Sequence, residues 1–350
     1  MKKPAVLMIS NFLADSHHNR NIWHSLSQRL MDNGWDILTT SARHNRILRL
    51  IDMVWTVVHQ RARYDLAHID VFSGKAFIFA EFCSGLLQII GKPFILALHG
   101  GRLPEFAQKN QRRVHALLKK ATVVISPSHF QQFEFKKFRP DILLIPNPID
   151  LSASIFRHRA LVEPKLIWVR AFHEIYNPLM AVEVVHRLCE AFPSIHLTMV
   201  GPDKGDGSLN RMLEQAEKLG VLDHIRVIPG VPHSEVPHLL DQADIFINTS
   251  NYDTSPRSIL EAMANGLCIV STNVGGIPFL VQDQKEALLA GFNQVDAMAD
   301  DVLRILTDNG LAAQLSQNAR LKAEQFGWDV ILAQWERVYS MVYEDFHGEV

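Results

Sequence analysis

The sequence predicts an α/β protein made of two successive Rossmann-like units, each with a parallel sheet. Three observations carry this. Short apolar runs rich in Val, Ile and Leu alternate with longer segments of helical periodicity, the pattern of parallel strands covered on both faces. The alternation breaks once, at Ile145-Pro146-Asn147-Pro148-Ile149-Asp150, where two prolines restrict themselves and the residues before them. It then restarts at Leu166.

In the first unit, residues 1–150, the expected strands are Ala5–Ser10, Asp36–Thr40, Leu66–Asp70, Phe94–Leu98, Thr122–Ser126 and Ile142–Ile145. Helical stretches such as Asn21–Asp32 and Pro104–Lys119 lie between them. The second unit, residues 151–327, opens on a weakly patterned basic stretch, Phe156–Ala160. Its expected strands are Leu166–Val169, His196–Val200, Ile225–Ile228, Ile245–Asn248 and Cys268–Ser271, with helices at Pro178–Ala191, Leu209–Leu219 and Val236–Asp241. Helical patterns follow at Val295–Thr307, Leu311–Glu324 and Trp328–Tyr343; the last sets Val330, Ile331, Trp335, Val338 and Val342 at helical spacing. The duplication is one of architecture, and no sequence repeat accompanies it.

Bulk properties fit a two-domain globular chain. It has 350 residues, 47% of them hydrophobic and 21% charged. Cys83, Cys189 and Cys268 lie far apart in apolar stretches with no metal-ligand spacing, which points to a reducing compartment and away from zinc. The start, MKKPAVLMISNFLADS, reads as a first strand and not as a signal peptide. The most apolar window, Ala76 to Ile90, is too short for a bilayer and contains Glu81 and Gln88. Charge is uneven: residues 1–150 hold 20 Lys and Arg against 11 Asp and Glu, whereas the remaining residues are net acidic. A basic half of this kind is suited to facing something anionic.

The most informative stretch is Asn248–Val281, NTSNYDTSPRSILEAMANGLCIVSTNVGGIPFLV, which reads as strand, loop, helix, strand and loop. Ser255-Pro256 looks like an N-cap followed by proline at the first helical position. The amides at that terminus would attract an anion such as a diphosphate. Asp253 in front of the helix and Glu261 within it are placed to accept hydrogen bonds from sugar hydroxyls. An ordinary crossover with solvated carboxylates would show the same spacing.

The wording narrows the choice. Asp253, seven intervening residues, then Glu261-Ala262-Met263-Ala264-Asn265-Gly266 and a buried strand resemble the donor-site signature of family 4 retaining glycosyltransferases, which have the GT-B fold. Two departures stand out: Asp253 replaces the usual Glu, and the strand opens Leu267-Cys268-Ile269-Val270 instead of Pro-Val-Val. The resemblance implies two Rossmann-like domains facing across a cleft, with the terminal helix, residues 328–350, crossing back to the first domain. It also implies that Thr254, Ser255 and Arg257 surround the diphosphate, while Gly201, in the turn from Val200 to Gly207, lies beside the nucleotide and Gly230 and Val231 line the base pocket.

Arg170 ends the first strand of the second unit, where ligands of open α/β sheets collect, and is a candidate phosphate clamp. Members of the family carry a Lys-Gly pair a few residues further on. Here Tyr176 and Asn177 stand roughly in that place and are candidate donor contacts, and a salt bridge from Arg170 to Glu174 is the structural alternative. His99-Gly100-Gly101-Arg102 resembles the family's His-Gly turn, which makes His99 a candidate sugar contact and Gly100, Gly101 and Arg102 candidate acceptor-side residues. Asn11–Arg20 stands where the family has a glycine-rich loop but contains no glycine; Asp15 and Asn19 within it are further acceptor-side candidates. No Asp-x-Asp pair is present for a divalent ion. The basic, Phe-rich segment from Phe130 to Arg139 fits either the core of a first-unit helix or a membrane interface.

The expected function is a retaining, metal-independent hexosyltransferase that uses a nucleoside-diphosphate sugar and no further cofactor. The acceptor would be a glycan or lipid-linked hydroxyl in polysaccharide or glycolipid synthesis. Arg170, His99, Asp253 and Glu261 are the catalytic candidates. No nucleic acid is expected as a partner. The expected location is cytoplasmic, with peripheral contact to an anionic membrane through the basic first unit. A GT-B nucleotide-sugar epimerase and a non-catalytic sugar-nucleotide binding protein are the rival readings.

Overall fold

The inner strands of each sheet are short, largely apolar and mostly buried, and neighbouring residues feed opposite sides. In β1 (Val6–Ile9), Val6 and Met8 pack on one face while Leu7 and Ile9 pack on the other, the period of two that strand geometry requires. The computed structural model describes residues 3–12 and 22–348.

Along the first part of the chain the elements are β1, α1 (Ile22–Asp32), β2 (Ile37–Thr40), α2 (Arg46–His59), β3 (Leu66–Val71), α3 (Phe77–Ile89), β4 (Phe94–Leu98), α4 (Leu103–Lys109), α5 (Gln111–Lys120), β5 (Val123–Ser126), α6 (His129–Phe135) and β6 (Leu143–Leu144). The strands pair in parallel in the order β2-β1-β3-β4-β5-β6. The strand order therefore reverses between β1 and β3. The single helix expected over Pro104–Lys119 is two, because Asn110 leaves the helical region at φ −128°, ψ 40° and its side chain donates to the Phe106 carbonyl. The Phe-rich segment is divided: Phe135 is buried and Phe138 packs against the core, Phe133 is 62% exposed, and Arg139 donates to the carbonyls of Leu118 and Ala121.

The second set comprises β7 (Lys165–Val169), α7 (Pro178–Cys189), β8 (His196–Val200), α8 (Ser208–Lys218), β9 (Ile225–Ile228), α9 (Val236–Asp241), β10 (Ile245–Asn248), α10 (Arg257–Ala264), β11 (Cys268–Thr272), α11 (Ile277–Leu280), β12 (Leu288–Ala290), α12 (Val295–Thr307) and α13 (Asn309–Glu324). Its parallel order is β12-β11-β10-β7-β8-β9, with the reversal between β10 and β7. The edge strand β12 carries no strong sequence signal, being only three residues long.

The chain divides into two compact units, residues 1–148 with 328–350, and residues 149–327. α14 (Trp328–His347) belongs to the first, where Ile331, Trp335, Val338, Tyr339 and Val342 pack with Val6, Met8, Trp23 and Leu66. Trp35 Nε1 and Lys3 both reach Glu336 of this helix, at 2.7 and 3.1 Å.

The stretch Phe156–Ala160, weak as a sequence pattern, is a structural strut. Arg159 is fully buried and donates to the carbonyls of Asn265 and Ala243, while Arg157 pairs with Asp244 at 2.7 Å. Burial lowers the Arg159 pKa to about 10, against the raising effect of Asp244 and Asp241.

Candidate functional site

Ligands of open α/β sheets bind outside the carboxyl ends of the strands where the strand order reverses. In the second unit that point lies between β7 and β10, and the residues leaving those two strands meet there. Arg170 follows β7, and its Nη2 lies 2.7 Å from Asp253 Oδ2 in the loop after β10. This is an ion pair without hydrogen-bond alignment. Nε of the same guanidinium contacts Asn248 Oδ1 at 3.4 Å, and the Tyr176 ring lies 5.3 Å from its centre, within cation–π range. The carboxylate partner of Arg170 is thus Asp253 and not Glu174, whose backbone N–H is bound by Asp206.

Asp253 also organises its own loop. Its Oδ1 accepts from the Ser255 amide at 3.0 Å. The expected helix start shifts by one residue: Pro256, at ψ 90°, is the residue before the first turn, Arg257 is the first helical residue, and no side chain caps the end. Proline at ψ 90° is extended, so Ser255 cannot be the cap, and its amide is spent on Asp253 instead. The amides opening α10 are left without a capping side chain.

The Gly275-Gly276 pair makes this loop possible. A Cβ on Gly275, at φ +55°, would sit 2.2 Å from the Asp253 carbonyl oxygen, and one on Gly276 would sit 2.3 Å from that of Thr254. Close approach also explains Gly201, where a Cβ would lie 1.7 Å from the Arg170 carbonyl oxygen.

Glu261, within α10, accepts from His233 Nε2 at 2.8 Å and Arg257 Nε at 2.7 Å. Burial pushes its pKa up, but the His233 hydrogen bond and the Arg257 charge outweigh it and hold the carboxyl below its ordinary value. Gly230 packs against Pro202 and Val231 against the core beneath, so these two with His233 and Glu261 bring the β9 and α10 loops together. Asn177 has a different occupation. At φ 47° it caps α7 through Met180 N, and its amide nitrogen donates to Asn251.

The first unit holds a second polar cluster at its own strand ends. Asp70 of β3 is buried; it accepts from Ser10 Oγ, and its Oδ1 lies 3.2 Å from His68 Nε2 and 3.3 Å from His99 Nε2. His68 Nδ1 meets the Tyr339 hydroxyl at 2.7 Å. Burial raises the Asp70 pKa, yet the facing His99 and His68 reverse the sign, and the carboxyl lies below its ordinary value. Trp23 packs edge-on to both imidazoles. His99 then borders a recess lined by Trp23, Pro127, Asn147 and Trp335, while Gly100, Gly101 and Arg102 are exposed and lead into α4. Asp15 and Asn19 lie outside the described residues.

Sequence reasoning missed His233, Asn248, Ser10, His68 and Asp70 as site residues. Asn248 and Asp70 had a readable signal, since each is a polar residue in or ending an otherwise apolar strand. His233 had none, because its contact with Glu261 depends on the fold.

Comparison with known proteins follows the same division. Residues 156–322 match the family model described as "Glycosyl transferases group 1". Curated relatives include the D-inositol 3-phosphate glycosyltransferase of Salinispora arenicola, 33% identical over 54% of this chain and 44% of that protein. Another is the spore coat protein SA of Bacillus subtilis, 25% identical over 50% of this chain and 48% of that one. The chain thus spans less than half the length of these two relatives. Among solved structures, the sucrose-phosphate synthase of Thermosynechococcus elongatus superposes with TM-score 0.78 at 18% identity, covering 98% of this chain and all of that one. HepE of Anabaena, solved in complex with UDP, gives TM-score 0.77 at 17% identity over 96% of this chain and all of that one.

Proposed function

We propose, from the premise that this chain belongs to the family 4 (group 1) glycosyltransferases and has their GT-B fold, that it transfers a hexose from a nucleoside-diphosphate sugar to an acceptor hydroxyl with retention of configuration. The observation that carries the reading is the convergence of Arg170, Asp253 and the uncapped start of α10 at the reversal of the second sheet. A guanidinium and free helix amides at one point form an anion site. Glu261, kept ionised, is an acceptor for ribose hydroxyls.

In this mechanism the bond from the anomeric carbon to the diphosphate oxygen breaks, and Arg170 and the α10 amides stabilise the charge that develops on the leaving group. The acceptor hydroxyl attacks the same face and passes its proton to the departing diphosphate. No carboxylate nucleophile and no metal are required by this route. As the diphosphate enters, Arg170 would exchange part of its contact with Asp253 for phosphate, freeing the carboxylate for a sugar hydroxyl. The acceptor is a glycan or lipid-linked hydroxyl of cell-surface synthesis, and the site of action is the cytoplasmic side of a membrane.

One observation favours a binding-only reading: the family lysine is absent, and the Asn177 amide that stands near its place is committed to capping α7. A panel of nucleoside-diphosphate sugars, screened by thermal shift and then incubated with and without glycan acceptors, separates the readings. Transfer product with free nucleoside diphosphate supports the proposal. Stabilisation with no turnover across the panel supports binding alone, and epimer formed without acceptor supports an epimerase.

A further inference from the structure

An outward apolar face on two adjacent helices of the first unit is unexplained by sugar transfer. α2 is apolar on both sides: Met53 and Val57 enter the core, while Ile47, Leu48, Ile51 and Trp55 point outward, with Ile47 71% and Trp55 58% exposed. The spacing of Ile47, Ile51 and Trp55 is four residues, one stripe along the helix. α3 lies beside it over the same core and adds Ile78, Phe82 and Ile89, the last 82% exposed. Single exposed apolar residues are ordinary on a protein surface, but a contiguous set on neighbouring helices marks an interaction surface.

Charge identifies the partner. Residues 43–63 hold five arginines against one carboxylate, Asp52. Arg43 and Arg46 stand at the start of α2, and Arg61 and Arg63 stand beyond its end, all exposed. Asp52 is half-buried and turned to Thr40 Oγ1 at 3.5 Å, and Glu81 of α3 is neutralised by a two-pronged contact with Arg113 at 2.6 and 2.9 Å. An apolar stripe flanked by cations, with its carboxylates turned away or paired, matches a lipid surface of acyl chains beneath anionic headgroups. A second copy docking two-fold on this face would bring net positive patches together. Among the described residues no helix is long and apolar enough to cross a membrane, so α2 would lie along the surface.

We propose that the outer faces of α2 and α3 dock this chain on a bilayer rich in anionic lipid, with Ile47, Ile51, Trp55 and Phe82 in the interface and Arg43, Arg46, Arg61 and Arg63 at the headgroups. Trp55, stacked on His59 with 3.3 Å between ring centroids, is the aromatic suited to the headgroup boundary. This goes beyond the catalytic reading and stands without it.

The test is sedimentation of the full chain with phosphatidylcholine vesicles and with vesicles that also contain phosphatidylglycerol. Strong partition to the second alone is expected, weakening as salt is raised, with a blue shift of tryptophan fluorescence that disappears in Trp55→Phe. Ile51→Asp with Trp55→Ser lowers the partition coefficient at least about tenfold. Arg43→Gln and Arg46→Gln each lower it about fivefold. Leu161→Asp, at a 75% exposed apolar position of the second unit, leaves it unchanged. Circular dichroism confirms that each variant is folded, and the arginine pair keeps the proposal testable should Ile51→Asp unfold. Equal binding to neutral and anionic vesicles, no binding, or undiminished binding by both sets of variants overturns the proposal. So does a dimer in solution that the same apolar substitutions dissolve. None of these readouts depends on turnover of a sugar nucleotide.

Discussion

Arg170 and Asp253 form an ion pair at 2.7 Å across the point where the strand order of the second sheet reverses, with side chains only 11% and 12% exposed. At that burial each ion needs the other, because an unpartnered charge there keeps its desolvation cost. The pair therefore ties the end of β7 to the loop after β10, and under the proposed function it would loosen as the diphosphate enters. A double-mutant cycle with Arg170→Ala and Asp253→Ala, read by urea unfolding, should give a coupling of about 1–3 kcal/mol. In transfer assays Arg170→Ala should cost about 2–4 kcal/mol of transition-state stabilisation. Near-normal turnover in that variant would remove Arg170 from the leaving-group role.

Glu261 gives a separate prediction because its carboxylate is held by two donors, His233 and Arg257. Glu261→Gln retains size but loses the charge that orients both. Donor affinity measured by calorimetry should fall about tenfold or more, the loss of one hydrogen bond to a charged group. His233→Ala should weaken binding less, since Arg257 remains. Equal, unchanged affinities in both variants would place the nucleotide elsewhere.

Gly275→Ala tests the loop beneath Asp253. The new methyl would meet the Asp253 carbonyl oxygen at 2.2 Å in a left-handed backbone at φ +55°. Backbone strain and the displaced loop together should cost at least about 2 kcal/mol of unfolding free energy. Donor affinity should drop with it, whereas Gly220→Ala, at φ +68° with open space around it, should lose stability through strain alone and leave donor binding intact.

How much of this was legible in the residues depends on the range of the interaction. Strands such as Phe94–Leu98 and His196–Val200 are legible because apolar runs bounded by turn signals are local information. The end of Pro104–Lys119 is legible but its break at Asn110 is not, since asparagine is tolerated in helices and only the packing of two short helices decides. Strand ends and a motif single out Arg170, Asp253 and Glu261 as candidates, but not the side chains they pair with. Nothing near Arg170 in the sequence identifies Asp253 as its counter-ion, and nothing near Glu261 points to His233. Arg159 shows the same limit: nothing in the weakly patterned stretch Phe156–Ala160 shows that this side chain is fully buried among carbonyls.

Asp70 supplies the last prediction, and its pH dependence has a definite sign. The carboxylate receives Ser10 and faces His68 and His99, and these contacts keep its folded pKa below the ordinary 3.8 despite burial. A depressed carboxyl stabilises the fold above its unfolded pKa and loses that contribution as pH falls through the folded value. Wild-type stability should therefore show no Asp70-linked slope between about pH 5 and 8 and should decline below about pH 4. Asp70→Asn should cost about 1–3 kcal/mol at neutral pH, because an amide cannot satisfy the same donors. The gap between the two unfolding curves should then narrow below about pH 4, where the carboxyl of the unfolded wild-type chain begins to protonate while the folded one is still ionised. In transfer assays the same variant should lower kcat with little change in donor affinity, since Asp70 faces His99 within the first unit, whereas the residues proposed to hold the donor belong to the second. A stability gap that stays constant down to the acid limit would show that Asp70 is not the ionised anchor of this cluster, and an effect confined to donor affinity would deny it any part in positioning His99.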